Sequence, residues 1–176
     1  AACNLGAEKA SGTYLLFINP DSELKPETLN ELIVAADNYP NASAFNPKII
    51  SRSGKQSFKR RSVLLQKSEW MSRKFPESDK EVSVLSGAAI FIKKENFTKI
   101  NGFDEKIFLY HEDDDISIRL KEEIGPLMYI HNSIITHIGG SSSSRDKTIA
   151  KIKGYHMGRS RAVSYTHLRA HETESN

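Results

Sequence analysis

The chain has 176 residues, 38% hydrophobic and 27% charged, which is enough for one domain with a hydrophobic core. A formal net charge of +3 is too small to argue for nucleic acid as a partner, and a single cysteine, Cys3, excludes an internal disulfide framework and fits a reducing compartment. There is no run of about 18 apolar residues to span a membrane, no internal repeat, no P-loop, no GxGxxG and no CxxC pair.

Residues 1–10 have helical composition, and Ser11-Gly12 stops the helix. The opening AACNLGAEKASG carries no initiating methionine or signal peptide and reads as the inside of a domain, so sequence is expected to precede it. Residues 13–18 (TYLLFI) predict a short strand buried on both faces, the kind found in parallel sheets under helices. It ends in Asn19-Pro20-Asp21. Polar residues past the carboxyl end of such a strand sit where α/β sheets bind ligands. The same three residues also suit a plain turn and helix cap, and the local sequence leaves both open.

Residues 26–38 predict a helix with Pro26 in its first turn and Leu29, Leu32, Ile33 and Ala36 as its buried stripe. Residues 42–50 read as a strand and 51–55 as a turn containing Gly54. Residues 57–79 are the least regular part. With 55–74 they carry the basic cluster and Trp70, and they read either as a lid or partner surface or as a solvated insertion. Residues 82–93 predict a strand pair or one bent strand, with the small residues Ser86, Gly87, Ala88 and Ala89 in its middle. A short helix over 94–100 and a turn over 101–105 follow.

The next stretch, FLYHEDDDISIR (108–119), organises the chain. Glu112, Asp113, Asp114 and Asp115 open a helix whose apolar stripe is Ile116, Leu120 and Ile124. Acids in a first turn suit the helix dipole, and Asp115 can pair with Arg119 at i,i+4. Phe103, Phe108 and Tyr110 set these acids at the edge of a predicted aromatic cluster, where a carboxylate is costly unless it is a base, a ligand or a hydrogen-bond hub. Gly125-Pro126 ends the helix. Two short strands, 127–130 and 133–136, lead to His137 and then to glycines and serines, a composition that suits either a structural histidine or a metal or phosphate site. Residues 147–163 predict a basic helix. SYTHLRAHE (164–172) resembles translated sequencing-adapter read-through, so 164–176 is set apart as a non-native tail.

In order and spacing, TYLLFINPD (13–21), SGAAIFIKK (86–94), NGFDEKIFLYHEDDDISIRL (101–120) and THIGGSS (136–142) resemble the inverting GT-A glycosyltransferases of family 2, most closely the rhamnosyltransferase-like members. The resemblance covers about residues 1–145. It implies an α/β fold: a GT-A, Rossmann-like mixed sheet flanked by helices, lacking its first βαβ part. It implies three parts: a partial catalytic domain (1–145), a basic helix (146–163) and the tail. It implies transfer of a sugar, rhamnose among the candidates, from a dTDP- or UDP-sugar to a hydroxyl of a glycan or lipid-linked acceptor, with Mg²⁺ or Mn²⁺. The expected setting is cell-surface polysaccharide synthesis at the cytoplasmic face of a membrane, with the basic segments 55–74 and 147–161 near anionic head groups.

The roles carried over are specific. Asp113 matches the family's catalytic base and Glu112 flanks it. Asp21 and His137 match metal ligands. Asn19 replaces the first acid of the metal motif, keeping a neutral oxygen and losing the charge. Ser86, Gly87 and Ala88 fall in the acceptor or donor-sugar region, and Asp115 with Arg119 holds the helix start beside the substrate. Without its nucleotide-reading first part, the segment alone is expected to be inactive. Two rivals are a metal-dependent phosphoesterase built on Asp21, Asp113 and His137, and a degenerate glycan- or partner-binding module that uses residues 55–74.

Overall fold

The apolar runs become strands of one mixed sheet, and the amphipathic segments become helices packed against it. The computed structural model describes residues 2–138 and 146–174, with side chains as far as residue 166. The order is helix α1 (Ala2–Lys9), strands β1 (Tyr14–Ile18) and β2 (Ser22–Leu24), helix α2 (Thr28–Asn38), strands β3 (Ala44–Ile50) and β4 (Gln56–Ser57), and a one-turn 3₁₀ helix (Lys67–Glu69). Then come strands β5 (Lys80–Val82) and β6 (Ala89–Lys93), helices α3 (Lys94–Lys99) and α4 (Glu112–Glu123), strand β7 (Leu127–His137) and helix α5 (Lys147–Glu174). The sheet runs β1-β6-β3-β7-β2, with β4 added to β3 and β5 to β7. β3 and β7 are parallel, and the other described pairs are antiparallel.

α4 lays Ile116 and Leu120, both fully buried, on a core with Leu85, Ile92 and Leu127. Burying side chains of this size stabilises the fold by roughly 1.5–3 kcal/mol each. Phe17, Phe97 and Phe103 form an aromatic trio beside it, with ring centroids 4.9–5.5 Å apart. Gly102, at φ 68°, lets the chain turn from α3 towards α4, and the Asn4 side chain accepts the Phe103 N–H and donates to its carbonyl.

Several sequence expectations are corrected. β1 is an edge strand, antiparallel to β6, and only Leu15 in it is buried. A wholly apolar run demands cover on its faces, which the aromatic trio gives Phe17, and does not demand parallel neighbours. Of the 82–93 stretch only Val82, the end of β5, and 89–93, which is β6, are strand, and the two pair with different partners, so Ser86-Gly87-Ala88 lie in the connection between them. Conversely, the two strands expected over 127–136 are one strand, β7, with a shift of register against β3 between Pro47 and Lys48. Pro47 has no N–H for the ladder, which explains a break there. In α2 the buried residues are Thr28, Leu32, Ala35 and Ala36, while Leu29 and Ile33 are exposed. The Thr28 hydroxyl donates to Ile134 O and Ser133 Oγ to Thr28 O, which fixes the helix rotation through polar bonds.

Phe108 is 72% exposed and packs at a tilt against His156 of α5, so it is not part of a buried aromatic cluster. The 57–79 segment is an ordered flap. Met71 N–H donates to Arg60 O at 2.8 Å, Trp70 Nε1 to Ser62 O at 3.1 Å, and the Gln66 and Glu69 ends close a capping box. The terminal helix extends past 163 to Glu174. The glycines and serines after Ile138 lie outside the described residues.

Candidate active site

Three segments meet at the turn Ser86-Gly87-Ala88. Asn46, buried in β3, braces this turn: its Oδ1 accepts the Ser86 N–H at 2.8 Å, and its Nδ2 donates to Ser86 O at 3.0 Å and to Ala89 O. On one side, Ala88 O accepts the Asn19 N–H at 3.0 Å and the Ser22 hydroxyl at 3.4 Å. On the other, Gly87 N–H donates to Asp113 Oδ2 at 2.8 Å. The Asn19-Pro20-Asp21 turn and the acidic helix are therefore fastened to adjacent residues. A Cβ on Gly87 would lie 3.3 Å from both Asp113 Cβ and Oδ2, so glycine permits this approach.

β2 pairs with β7 so that Ser22 faces His137, and Ile138 N–H donates to Asp21 O at 3.0 Å. The pairing carries Asp21 Oδ1 to 3.1 Å from His137 Nε2, with Asn19 exposed beside them. An oxygen and a nitrogen about 3 Å apart suit two adjacent ligands of an octahedral divalent cation at about 2.1 Å from each. The donor set thus fits a hard to borderline divalent metal. Among the described residues no group of three or more His, Cys, Asp or Glu side chains forms a fuller site.

α4 begins after two consecutive left-handed residues, Tyr110 (φ 65°) and His111 (φ 66°). Non-glycine residues in this region cost roughly 1–3 kcal/mol each and collect at functional sites. The first turn holds Glu112 to Asp115 at the positive end of the helix dipole. His111 Nδ1 lies 2.9 Å from Asp114 Oδ2. Ser117 Oγ donates to Asp113 O and accepts Leu85 N–H, which ties the first turn of α4 to the core.

Lys59, from the flap, enters this cluster. Its Nζ lies 2.7 Å from Asp113 Oδ2 and 2.7 Å from Asp114 Oδ1, and its side chain is only 22% exposed. The Asp114 Oδ1 contact is an ion pair without hydrogen-bond alignment. Burial alone would lower the Lys59 pKa, but Asp113 and Asp114 outweigh it and hold the ammonium above 10.5. Burial alone would raise Asp114; the Lys59 charge and the His111 ring nitrogen beside it instead hold it below 3.8. Glu112 is exposed in part, yet desolvation of its carboxyl, with repulsion from Asp113 and Asp114, raises it above 4.5 despite its own backbone N–H and the Lys59 charge.

Asp115 and Arg119 find each other at i,i+4: Nε and one terminal nitrogen donate to Asp115 Oδ2 at 2.9 and 2.7 Å, and the other donates to Ile100 O at 2.7 Å. This buried clamp joins α4 to the end of α3. The structure therefore gathers Asn19, Asp21, His137, Ser86, Gly87, Ala88, Glu112 and Asp113 around one turn, with Asp115 and Arg119 behind them in a supporting pair. Sequence reasoning missed Asn46, His111, Ser117 and Lys59. Asn46 had a signal, a lone amide inside the apolar run AFNPKII. Lys59 had none beyond membership of a basic cluster.

Comparison with known proteins bears on the fold and the family. The chain is 25% identical over 151 residues to the N-acetylglucosaminyl-diphospho-decaprenol L-rhamnosyltransferases of two Mycobacterium tuberculosis strains, covering 76% of this chain and 49% of theirs. It thus spans about half the length of the curated relatives it matches. Among solved structures, GalNAc-T7 with UDP, GalNAc and Mn²⁺ superposes with a TM-score of 0.62 at 17% identity, covering 80% of this chain and 31% of that one. S. aureus TarS (1–349) gives a TM-score of 0.57 at 16% identity over 77% of this chain and 38% of that one. These likenesses show the fold, the mixed GT-A sheet flanked by helices. The family model for glycosyl transferase family 2 matches residues 1–100, more than half of the chain, and the chain belongs to that family.

Proposed function

We propose that this chain carries the base and the metal pair of an inverting sugar transferase acting on a nucleotide diphosphate sugar. The observation that carries the reading is the Ser86-Gly87-Ala88 turn, which fastens Asp113 through Gly87 N–H and the Asn19-Asp21 turn through Ala88 O. Family membership supports a dTDP- or UDP-sugar donor and a glycan acceptor. The names of the curated relatives support rhamnose as the sugar and a lipid-linked acceptor.

In a single displacement, the acceptor oxygen attacks the anomeric carbon from the face opposite the diphosphate. The new C–O bond forms as the bond to the diphosphate breaks, and that electron pair leaves with the phosphate. Asp113, partly exposed and aimed by Gly87 N–H, takes the acceptor proton. Glu112 sits at the open rim beside it, a weaker acid than usual. Asp21 and His137 would hold Mg²⁺ or Mn²⁺. When bound, such an ion neutralises charge developing on the leaving diphosphate.

The test is a transfer assay on the chain extended to the full length of its relatives, with dTDP- and UDP-sugars as donors. Asp113→Asn is expected to lower kcat by about 10²–10⁴-fold with donor affinity kept. Asp21→Ala is expected to raise the Mn²⁺ concentration needed for half-maximal rate. Donor hydrolysis faster than transfer, with no acceptor present, would support the phosphoesterase. Glycan binding without transfer, unchanged by Asp113→Asn, would support the binding module.

A further inference from the structure

Lys59 is 54 positions from Asp113 in sequence, yet it is the described cation that reaches the Asp113 carboxylate. It is delivered by a built element. Phe58 packs edge-on against Tyr129 with centroids 5.7 Å apart, and Arg60 and Met71 exchange backbone and side-chain bonds. Leu64 and Ser62 are buried, and Ser83 Oγ donates to Glu69 O. Nζ therefore arrives at a fixed place.

The lone pairs of Asp113 decide what that does. Oδ2 accepts Gly87 N–H at 2.8 Å and also lies 2.7 Å from Lys59 Nζ, so it carries a hydrogen bond and an ion pair at once. Oδ1 accepts only the Asp114 N–H, at 3.0 Å, among the bonds described. Oδ1 is therefore the less engaged of the two oxygens. Asp114 shares the ammonium through its Oδ1 and is itself held by His111, so the lysine cannot swing towards one acid without leaving the other.

We infer that Lys59 is a positioning residue of the transfer reaction: held by the flap, it pins Asp113 by Oδ2 so that Oδ1 receives the acceptor proton. This rests on the reading of Asp113 as the base. The acceptor O–H bond breaks as the sugar–oxygen bond forms, the proton ends on Oδ1, and Lys59 stays protonated throughout. Misplacing a catalytic group by about 1 Å can cost on the order of 10²-fold in rate.

The experiment measures kcat and KM for Lys59→Met, Lys59→Gln and Lys59→Arg in the chain at the full length of its relatives. Met and Gln are expected to lower kcat by about 10–100-fold with KM for the donor within about twofold, and Arg to recover most of the loss. In the Asp113→Asn background, adding Lys59→Met should change the residual rate less than about twofold, because no base is left to aim. A separate readout uses the 176-residue chain, whose one tryptophan is Trp70 in the flap. Its emission should be unchanged in the Gln and Arg variants.

Four outcomes would overturn the inference. One is wild-type kcat in both Met and Gln variants. Another is a raised donor KM carrying the whole loss. A third is a further tenfold fall on the Asp113→Asn background. The last is a loss in every variant, Arg included, that follows a red-shifted Trp70 emission. Full transfer by Asp113→Asn alone would instead overturn the base assignment, whatever Lys59 does.

Discussion

Gly87 matters to this site for what it lacks. Its N–H reaches Asp113, and a methyl group there would lie 3.3 Å from the Asp113 side chain, tight enough that Asp113 must give way. The backbone needs no unusual dihedral there, so the requirement is room alone. Gly87→Ala is expected to push Asp113 off the amide, lowering transfer by about tenfold or more while costing stability only about 1 kcal/mol. Urea unfolding alongside kinetics checks this: an equal effect on both, or an activity left intact, would show that Asp113 tolerates the shift. Asn46 is the partner case. Its amide satisfies three backbone groups of the same turn, which is why a polar residue stands inside an apolar strand. That anomaly was visible in AFNPKII, but its partners lie 40 and 43 positions away, and nothing local names them.

At the scale of elements, the flap and the acidic helix are joined by charge, and pH acts on that joint. Lys59 has a raised pKa, so its contribution is complete below 10.5 and is lost as pH rises through the raised value. Asp114 has a lowered one, so its contribution is complete above 3.8 and is lost as pH falls through the lowered value. Glu112 runs the other way: its raised pKa makes ionisation costly in the fold, so stability declines as pH rises from 4.5 through the raised value. The stability difference between wild type and Lys59→Met should be about 3 kcal/mol at neutral pH and shrink at both extremes. A difference that stays constant from acid to alkaline pH would place its origin in packing. The helix half of this joint was legible, because four acids in a first turn and a stripe of Ile116, Leu120 and Ile124 announce a capped helix. The flap half was not, since its order comes from side-chain-to-backbone bonds such as Trp70 to Ser62, which leave no periodicity.

For the whole molecule, motif order carried more than element detail. NPD, SGAA, EDDD and the late histidine pointed to one expected site, and the sheet brings Asp21 to His137 across 116 positions. Local patterning failed where two faces were equally apolar. In α2, Leu29, Leu32, Ile33 and Ala36 made as good a stripe as the observed one, and the choice was settled by Thr28 and Ser133 hydroxyls bonding across to the sheet and helix. Small residues in 82–93 likewise fit a strand interior, until Asn46 folded them into a turn.

The position of β1 reaches beyond the site. Five apolar residues, Tyr14–Ile18, pair with β6 on one side only, so among the described residues the opposite row of backbone donors and acceptors is unmatched. Such a row is a template for another extended chain, and β1 carries no charge to discourage one. Concentrated solutions of the 176-residue chain should therefore associate through strand-to-strand joining of copies. Ile18, 38% exposed at the end of the row, is the place to interrupt it. Light scattering of Ile18→Lys should show more monomer than wild type at equal concentration, whereas identical curves would move the sticking surface elsewhere.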